Sequence, residues 1–72
     1  ELKKALFNLN KLIKNNQNNI HLMETKADIL YSHGFFSEAL LFYNISIKRN
    51  PENYYVKKRI FDIKGEAIRI SS

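Results

Sequence analysis

Three residues in one stretch of the chain have types and spacing that could do chemistry. His21, Glu24 and Asp28 lie at positions i, i+3 and i+7, which places an imidazole and two carboxylates on roughly one face of a helix. Such a set can ligate a divalent metal or act as a general acid and base. Polar residues on a solvated helix face often have the same spacing, so we expect no metal site, no catalytic residue and no cofactor.

The composition argues against several other kinds of chemistry. The chain has 72 residues, no cysteine and two histidines, which excludes disulfides and thiolate nucleophiles and disfavours structural zinc. It has no glycine-rich phosphate loop and no nucleophile–base pair, so the chain by itself is not predicted to be an enzyme. The longest apolar run, residues 39–42, is far shorter than the ~20 residues that span a membrane. Because the chain begins at Glu1, we expect a fragment or a processed chain of a longer protein.

The positive charge could mark an anionic partner. The formal net charge is +5, with basic ends and an acidic middle, and Lys57, Lys58 and Arg59 form the densest basic cluster. A basic helical adaptor that binds RNA or an anionic membrane surface is therefore one alternative. A lysine-rich solvated surface explains the same charge, and no known RNA- or DNA-binding motif is present, so a nucleic-acid partner is disfavoured.

Four helices must position these side chains. The apolar residues repeat with a helical period in four segments, and no segment alternates with period two, which predicts an all-α fold. The polar tract 15–19 ends the first helix, and Asn18 or Asn19 caps the second. Gly34 ends the second helix. The third helix runs from about Ser37 and is closed by Asn50-Pro51. The fourth starts near Asn53 and continues past Gly65.

Each predicted helix has an apolar face that we expect to be buried. In the first helix the stripe is widened by Ala5 and Leu12, and in the fourth a second apolar row runs beside the first. In chain order the predicted faces are Leu2, Leu6, Leu9 and Ile13; Leu22, Met23, Ala27, Ile29 and Leu30; Ala39, Leu40, Phe42, Tyr43 and Ile47; Val56, Ile60, Ile63, Ala67 and Ile70, with Tyr54, Phe61 and Ile68 as the second row.

The chain repeats itself at one fixed offset. When Ala5 is placed on Ala39, Leu6 falls on Leu40. Asn19, which precedes the second helix, then falls on Asn53 before the fourth, and Asp28-Ile29 falls on Asp62-Ile63. The first helix therefore matches the third, and the second matches the fourth. A helix pair that recurs every ~34 residues has the spacing of the tetratricopeptide (TPR) repeat.

The residues at fixed positions carry the same resemblance. Eight residues have the types that TPR units place at these positions. A small and a large apolar residue precede the turn glycine, and aromatic and small residues follow it before a closing proline: Ala27, Leu30, Gly34, Phe36, Ala39, Tyr43, Ser46 and Pro51. Ser46 replaces the usual alanine and Met23 the usual tryptophan. In the fourth helix, Phe61 stands where the small residue belongs and Lys64 where the large apolar residue belongs.

The chain thus resembles the TPR family, and the resemblance implies an antiparallel helix-hairpin solenoid of four helices. Residues 1–72 would form one domain, in which 1–16 is the second helix of a preceding repeat, 20–53 is a complete unit, and 54–70 is a following or capping helix. Solenoid ends expose apolar surface, so self-association through the open ends is expected.

TPR pairs line a concave groove that binds an extended peptide or partner segment, so the resemblance implies a non-catalytic protein-binding module. Arg59 and Lys58 partly match the carboxylate clamp of chaperone-binding TPRs, whereas Glu24 and Asp28 oppose it. The groove residues implied by position are His21, Glu24, Thr25, Asp28, Tyr31, Ser32, Tyr55, Lys58, Arg59 and Asp62.

A narrower resemblance is to the C-terminal TPR tail of BepA-like bacterial periplasmic zinc metalloproteases. It rests on Ala5-Leu6, Leu12-Ile13, Asn18-Asn19, Lys26-Ala27 and Glu38-Ala39-Leu40, with the single residues Leu22, Glu24 and Gly34 and the pair Ile29-Leu30. This resemblance implies the non-catalytic tail of an envelope enzyme that recognises substrates or partners. It would place the chain in the bacterial periplasm; otherwise the cytoplasm is the default and the compartment is open.

Overall fold

The computed structural model describes the backbone of residues 1–71 and the side chains of residues 1–65. It contains four α-helices, α1 (Leu2–Asn15), α2 (Ile20–Ser32), α3 (Phe36–Arg49) and α4 (Tyr54–Ser71), and no strand in the described backbone. The all-α prediction is confirmed. The molecule measures 40 × 30 × 14 Å, a flat arrangement of helices. Three residues predicted to be buried, Ala67, Ile68 and Ile70, lie outside the described side chains.

Asparagines begin two of the helices, as the sequence predicts. The Asn19 side chain accepts a hydrogen bond of 3.0 Å from the backbone N–H of His21, which makes Asn19 rather than Asn18 the cap of α2. At the start of α4, Asn53 Oδ1 accepts a 3.2 Å hydrogen bond from the N–H of Val56. Each cap satisfies a backbone donor that the first helical turn leaves without a partner.

The turn between α2 and α3 is a Schellman motif centred on Gly34, which has φ = +84°. The N–H of Phe35 donates to Leu30 O at 2.9 Å, and the N–H of Gly34 donates to Tyr31 O at 3.1 Å. α3 begins at Phe36, within one residue of the predicted start at about Ser37. Phe35 both closes α2 and precedes the first residue of α3, which has no side-chain cap.

The two glycines give a matched pair of stability predictions. A Cβ atom built at Gly34 or at Gly65 would meet nothing within 4 Å, so neither substitution causes a clash. Gly34→Ala forces a left-handed backbone on an L-residue and should lower the free energy of unfolding by about 1 kcal/mol. Gly65→Ala improves helix propensity in α4 and should raise it by about 1 kcal/mol. Urea denaturation of both variants checks the opposite signs; equal signs would contradict the two backbone assignments.

Successive helices pack against one another, and the interface between α2 and α3 is the most extensive. Tyr31 contacts Phe36 with ring centroids 5.4 Å apart, while Asp28, one turn earlier in α2, reaches Tyr43, two turns later in α3. From the first of these contacts to the second, the residue number falls in α2 and rises in α3, so the two helices run in opposite directions. The buried apolar cluster is Ala27, Leu30, Ala39, Tyr43, Val56 and Ile63.

The end helices bury less than the sequence predicts. In α1, Leu9 is buried, but Ala5 and Leu12 are exposed, because α1 packs mainly against α2 through one narrow stripe. In α4, the two described members of the second apolar row are exposed: Tyr54 is 77% and Phe61 76% accessible to solvent. Here α4 packs against α3 on one side, and no other described helix covers the opposite side.

Candidate functional site

Four of the predicted groove residues meet at one place on the surface. Asp28 and Tyr31 come from α2, and Tyr55 and Arg59 come from α4. Asp28 Oδ1 accepts a 2.8 Å hydrogen bond from the Tyr55 hydroxyl and another from the hydroxyl of Tyr43 in α3. We call these five residues the α2–α4 cluster. The cluster joins three helices through one carboxylate oxygen.

Arg59 is held between two aromatic rings of the cluster. Its guanidinium carbon lies 4.3 Å from the Tyr31 ring centroid and 5.3 Å from that of Tyr55, both within cation–π range. Its Nε also donates to the Tyr55 hydroxyl at 3.2 Å. Hydrogen bonding to Tyr55 raises the pKa of Arg59 above its already high value, so the guanidinium stays charged wherever the chain is folded.

Helical spacing explains why these side chains converge. Asp28 and Tyr31 are three residues apart on α2, and Tyr55 and Arg59 are four apart on α4, so each pair shares one helix face. A further contact joins the same two helices nearer their starts, where Asn53 Nδ2 donates to Glu24 Oε2 at 3.3 Å. In the three contacts, 24–53, 28–55 and 31–59, the residue number increases in both helices. Thus α2 and α4 lie side by side and run in the same direction.

The remaining predicted groove residues are not part of the cluster. Thr25 and Ser32 donate to carbonyls of their own helix, at His21 O (2.8 Å) and Asp28 O (2.9 Å) respectively. His21, Lys58 and both hydroxyl residues are exposed, and Asp62 is half-buried. Among the described residues, no group of three His, Asp or Glu side chains could hold a metal ion.

Sequence reasoning missed two residues that support the site. The pattern assigns Tyr43 to packing alone, yet its hydroxyl donates to Asp28 while its ring is fully buried. The pattern assigns Asn53 to a helix start, yet it also binds Glu24. The signal for Tyr43 was available in principle, because a buried tyrosine hydroxyl usually requires a hydrogen-bond partner. The two acidic residues of α2, Glu24 and Asp28, are both half-buried, so either could have been considered as that partner.

The arrangement offers a partner a fixed set of polar groups at the surface. Arg59, Asp28 and Tyr31 are half-buried and Tyr55 is 41% exposed, so each has both a packed side and an accessible side. Because their neighbours hold these side chains in place, little rotamer entropy remains to be lost on binding. The site can recognise shape and charge, because it presents the Arg59 cation, the Asp28 carboxylate and the phenol rings of Tyr31 and Tyr55 together.

The buried phenol of Tyr43 predicts a loss of stability at high pH. Burial away from water, followed by the hydrogen bond to the Asp28 carboxylate, raises the pKa of Tyr43 far above its usual value of about 10. The unfolded chain therefore releases this proton near pH 10 while the folded chain keeps it, so its stabilising contribution is complete below about pH 10 and decreases above it. Urea midpoints at about pH 8 and about pH 11 should fall more for the native chain than for Tyr43→Phe. An equal fall in both would contradict this role of Tyr43.

None of the described helices has the length and apolar character that crossing a membrane requires. Comparison of the chain with protein-family models, with curated proteins and with solved structures gave no match in any of the three. The resemblance to TPR proteins, and the narrower one to metalloprotease tails, therefore rest on the residues and spacing of this chain alone.

Proposed function

We propose that this chain is a non-catalytic protein-interaction module that binds an extended peptide or partner segment in a TPR-type groove along α2 and α4. The observation that carries the proposal is the α2–α4 cluster, in which Arg59 is held against Tyr31 and Tyr55 beside the carboxylate of Asp28. The internal repeat and the parallel course of α2 and α4 support a helix-hairpin solenoid, since equivalent helices of such repeats lie side by side.

The residue types in the cluster favour binding over a purely structural role. Arginine and tyrosine are enriched among the residues that dominate binding energy at protein interfaces. Here one arginine and two tyrosines occupy the same surface and are only partly covered by the chain itself. A fully internal network would bury the guanidinium, whereas Arg59 stays half-buried. A partner that covers it would strengthen its electrostatic interactions by excluding water.

Charge along the groove indicates the kind of segment that fits. Glu24 and Asp28 lie on the α2 side, and Arg59 lies on the α4 side. A peptide with a basic residue toward α2 and an acidic residue toward α4 would complement this polarity. The expected ligand is therefore an extended peptide of mixed charge rather than a strongly acidic or strongly basic one.

Selection from a random phage-displayed peptide library, followed by affinity measurement for the selected peptides, tests the proposal. Arg59→Gln removes the guanidinium that the two tyrosines hold, and it should weaken binding by about 30-fold, as expected for an interface arginine worth about 2 kcal/mol. Lys57→Gln is the matched control, because it removes one positive charge from an exposed position of the same helix outside the cluster. It should leave the affinity unchanged.

Two results would count against the groove. If no peptide is enriched over selection on an unrelated protein, the module does not recognise extended peptides. If Arg59→Gln and Glu24→Lys bind the selected peptides as tightly as the native chain, then the binding surface lies elsewhere. Far-UV circular dichroism of each variant distinguishes lost binding from lost folding.

A further inference from the structure

The side of α4 that faces away from the core carries two exposed aromatic rings among lysines. Tyr54 and Phe61 are seven residues apart and so share one face, and they are 77% and 76% exposed. Lys57, Lys58 and Lys64 are exposed on the same helix. We call these five residues the α4 outer face. Exposed rings that share one face, unlike apolar residues scattered singly over a surface, can mark an interaction site.

The internal repeat shows that this face is not suited to packing against another apolar helix. At the repeat offset, the α2 residues equivalent to three members of the α4 outer face are apolar: Met23 stands for Lys57, Ala27 for Phe61 and Leu30 for Lys64. In α2 these three are half-buried or buried, and Ala27 and Leu30 belong to the apolar cluster shared with α3.

A helix that docked on α4 as α3 docks on α2 would therefore meet unfavourable chemistry. It would bury the ammonium groups of Lys57 and Lys64, and a buried unpaired charge is strongly destabilising. The Phe61 ring would also hold the incoming helix away, where Ala27 lets α3 approach. The α4 outer face is suited to a partner that supplies negative charge to the lysines and accepts the rings.

Local charge supports an anionic partner. Between Glu52 and Lys64 the chain has four bases, Lys57, Lys58, Arg59 and Lys64, against two acids, Glu52 and Asp62. Arg59 is engaged in the α2–α4 cluster, so the three lysines are the bases presented on the outer face. Their stems can lie beside the rings while their ammonium groups reach outward.

We propose that the α4 outer face binds the surface of an anionic lipid bilayer. Aromatic rings in the middle of a helix face enter the headgroup region, and flanking lysines contact lipid phosphates, which is the arrangement of an interfacial helix. The function is separate from the peptide groove, because Lys57, Phe61 and Lys64 take no part in the α2–α4 cluster. Together the two surfaces would let the module hold a peptide at a membrane.

The geometry fits single-stranded nucleic acid less well. Proteins that bind it combine stacking rings with a basic groove that follows the backbone. The α4 outer face is a convex helix surface. Tyr54 and Phe61 lie about 10 Å apart along the helix axis, whereas stacked bases follow one another at about 3.4 Å. The rings therefore cannot stack on successive bases, while a flat bilayer surface can receive both.

Sedimentation with vesicles tests this proposal on the intact chain. The chain should bind phosphatidylcholine vesicles that contain phosphatidylserine and not pure phosphatidylcholine vesicles, and added salt should weaken binding. Each lysine at an anionic surface contributes about fivefold to the partition coefficient, so Lys57→Gln, Lys58→Gln and Lys64→Gln combined should lower it about 100-fold. The double variant Tyr54→Ser and Phe61→Ser should also lose binding, although it retains the charge.

A matched control separates this face from net charge. Lys3→Gln, Lys4→Gln and Lys14→Gln combined remove the same charge from exposed positions of α1, which presents one exposed ring, Phe7, with Lys11 above it at 4.7 Å. This α1 triple variant should bind vesicles within a few-fold of the native chain, and so should Arg59→Gln. Equal losses from the α1 and α4 triple variants would overturn the proposal in favour of net charge alone. Tight binding to single-stranded homopolymer RNA without binding to vesicles would overturn it in favour of nucleic acid.

Discussion

Tyr43→Ala is expected to remove most or all of the folding stability of this chain. The Tyr43 side chain is fully buried between the helices and belongs to the main apolar cluster. Truncating a buried aromatic residue costs about 3–5 kcal/mol. A single core in a chain of this size supplies only about 3–5 kcal/mol in total. The variant should therefore have weak helical circular dichroism at room temperature and no cooperative urea transition.

Tyr43→Phe is the control that separates the ring from the hydroxyl. Phenylalanine keeps the ring volume and removes the donor to Asp28, whose Oδ1 still accepts from Tyr55. The cost should be about 1 kcal/mol, the typical net contribution of one hydrogen bond. If Tyr43→Ala unfolds in urea at the same midpoint as Tyr43→Phe, the ring does not connect the helices as the structure indicates.

Features of the fold that depend on local chemistry could be predicted from the sequence. Asn19, Gly34 and Asn53 set helix ends through their own backbone and side-chain bonds, and all three lie where the pattern places them. The helical period of the apolar residues was sufficient to predict four helices. α3 begins within one residue of its predicted start at about Ser37, but no cap preference indicates that Phe35 closes the turn at Gly34.

Burial at the two ends of the chain could not be predicted, because it depends on which helices lie across each face. Leu12 and Phe61 fit an apolar stripe by spacing, yet both are exposed where no described helix covers them. The candidate site could be predicted in part for the same reason. Helix position assigns Asp28 and Arg59 to one surface, but their connection through Tyr55 requires the distance between α2 and α4.

The second large effect is predicted for Ala27. Ala27 and Ala39 of α3 both belong to the buried cluster, and both are fully buried. Ala27→Phe inserts a ring where the two helices approach each other. Overpacking a dense core costs about 1–3 kcal/mol, and the size of this change places it at about 3 kcal/mol. The urea midpoint should fall to near zero, or the chain should lose cooperative unfolding.

Phe61→Ala makes the reciprocal change at the position of α4 that the internal repeat makes equivalent to Ala27. Because Phe61 is 76% exposed, its removal should change the free energy of unfolding by no more than about 0.5 kcal/mol, and alanine's higher helix propensity favours a small gain. The same pair of residue types at matching positions is thus expected to give opposite results. If both substitutions destabilise the chain equally, α4 is covered by a packed element in solution, and its outer face is then not free to bind a membrane.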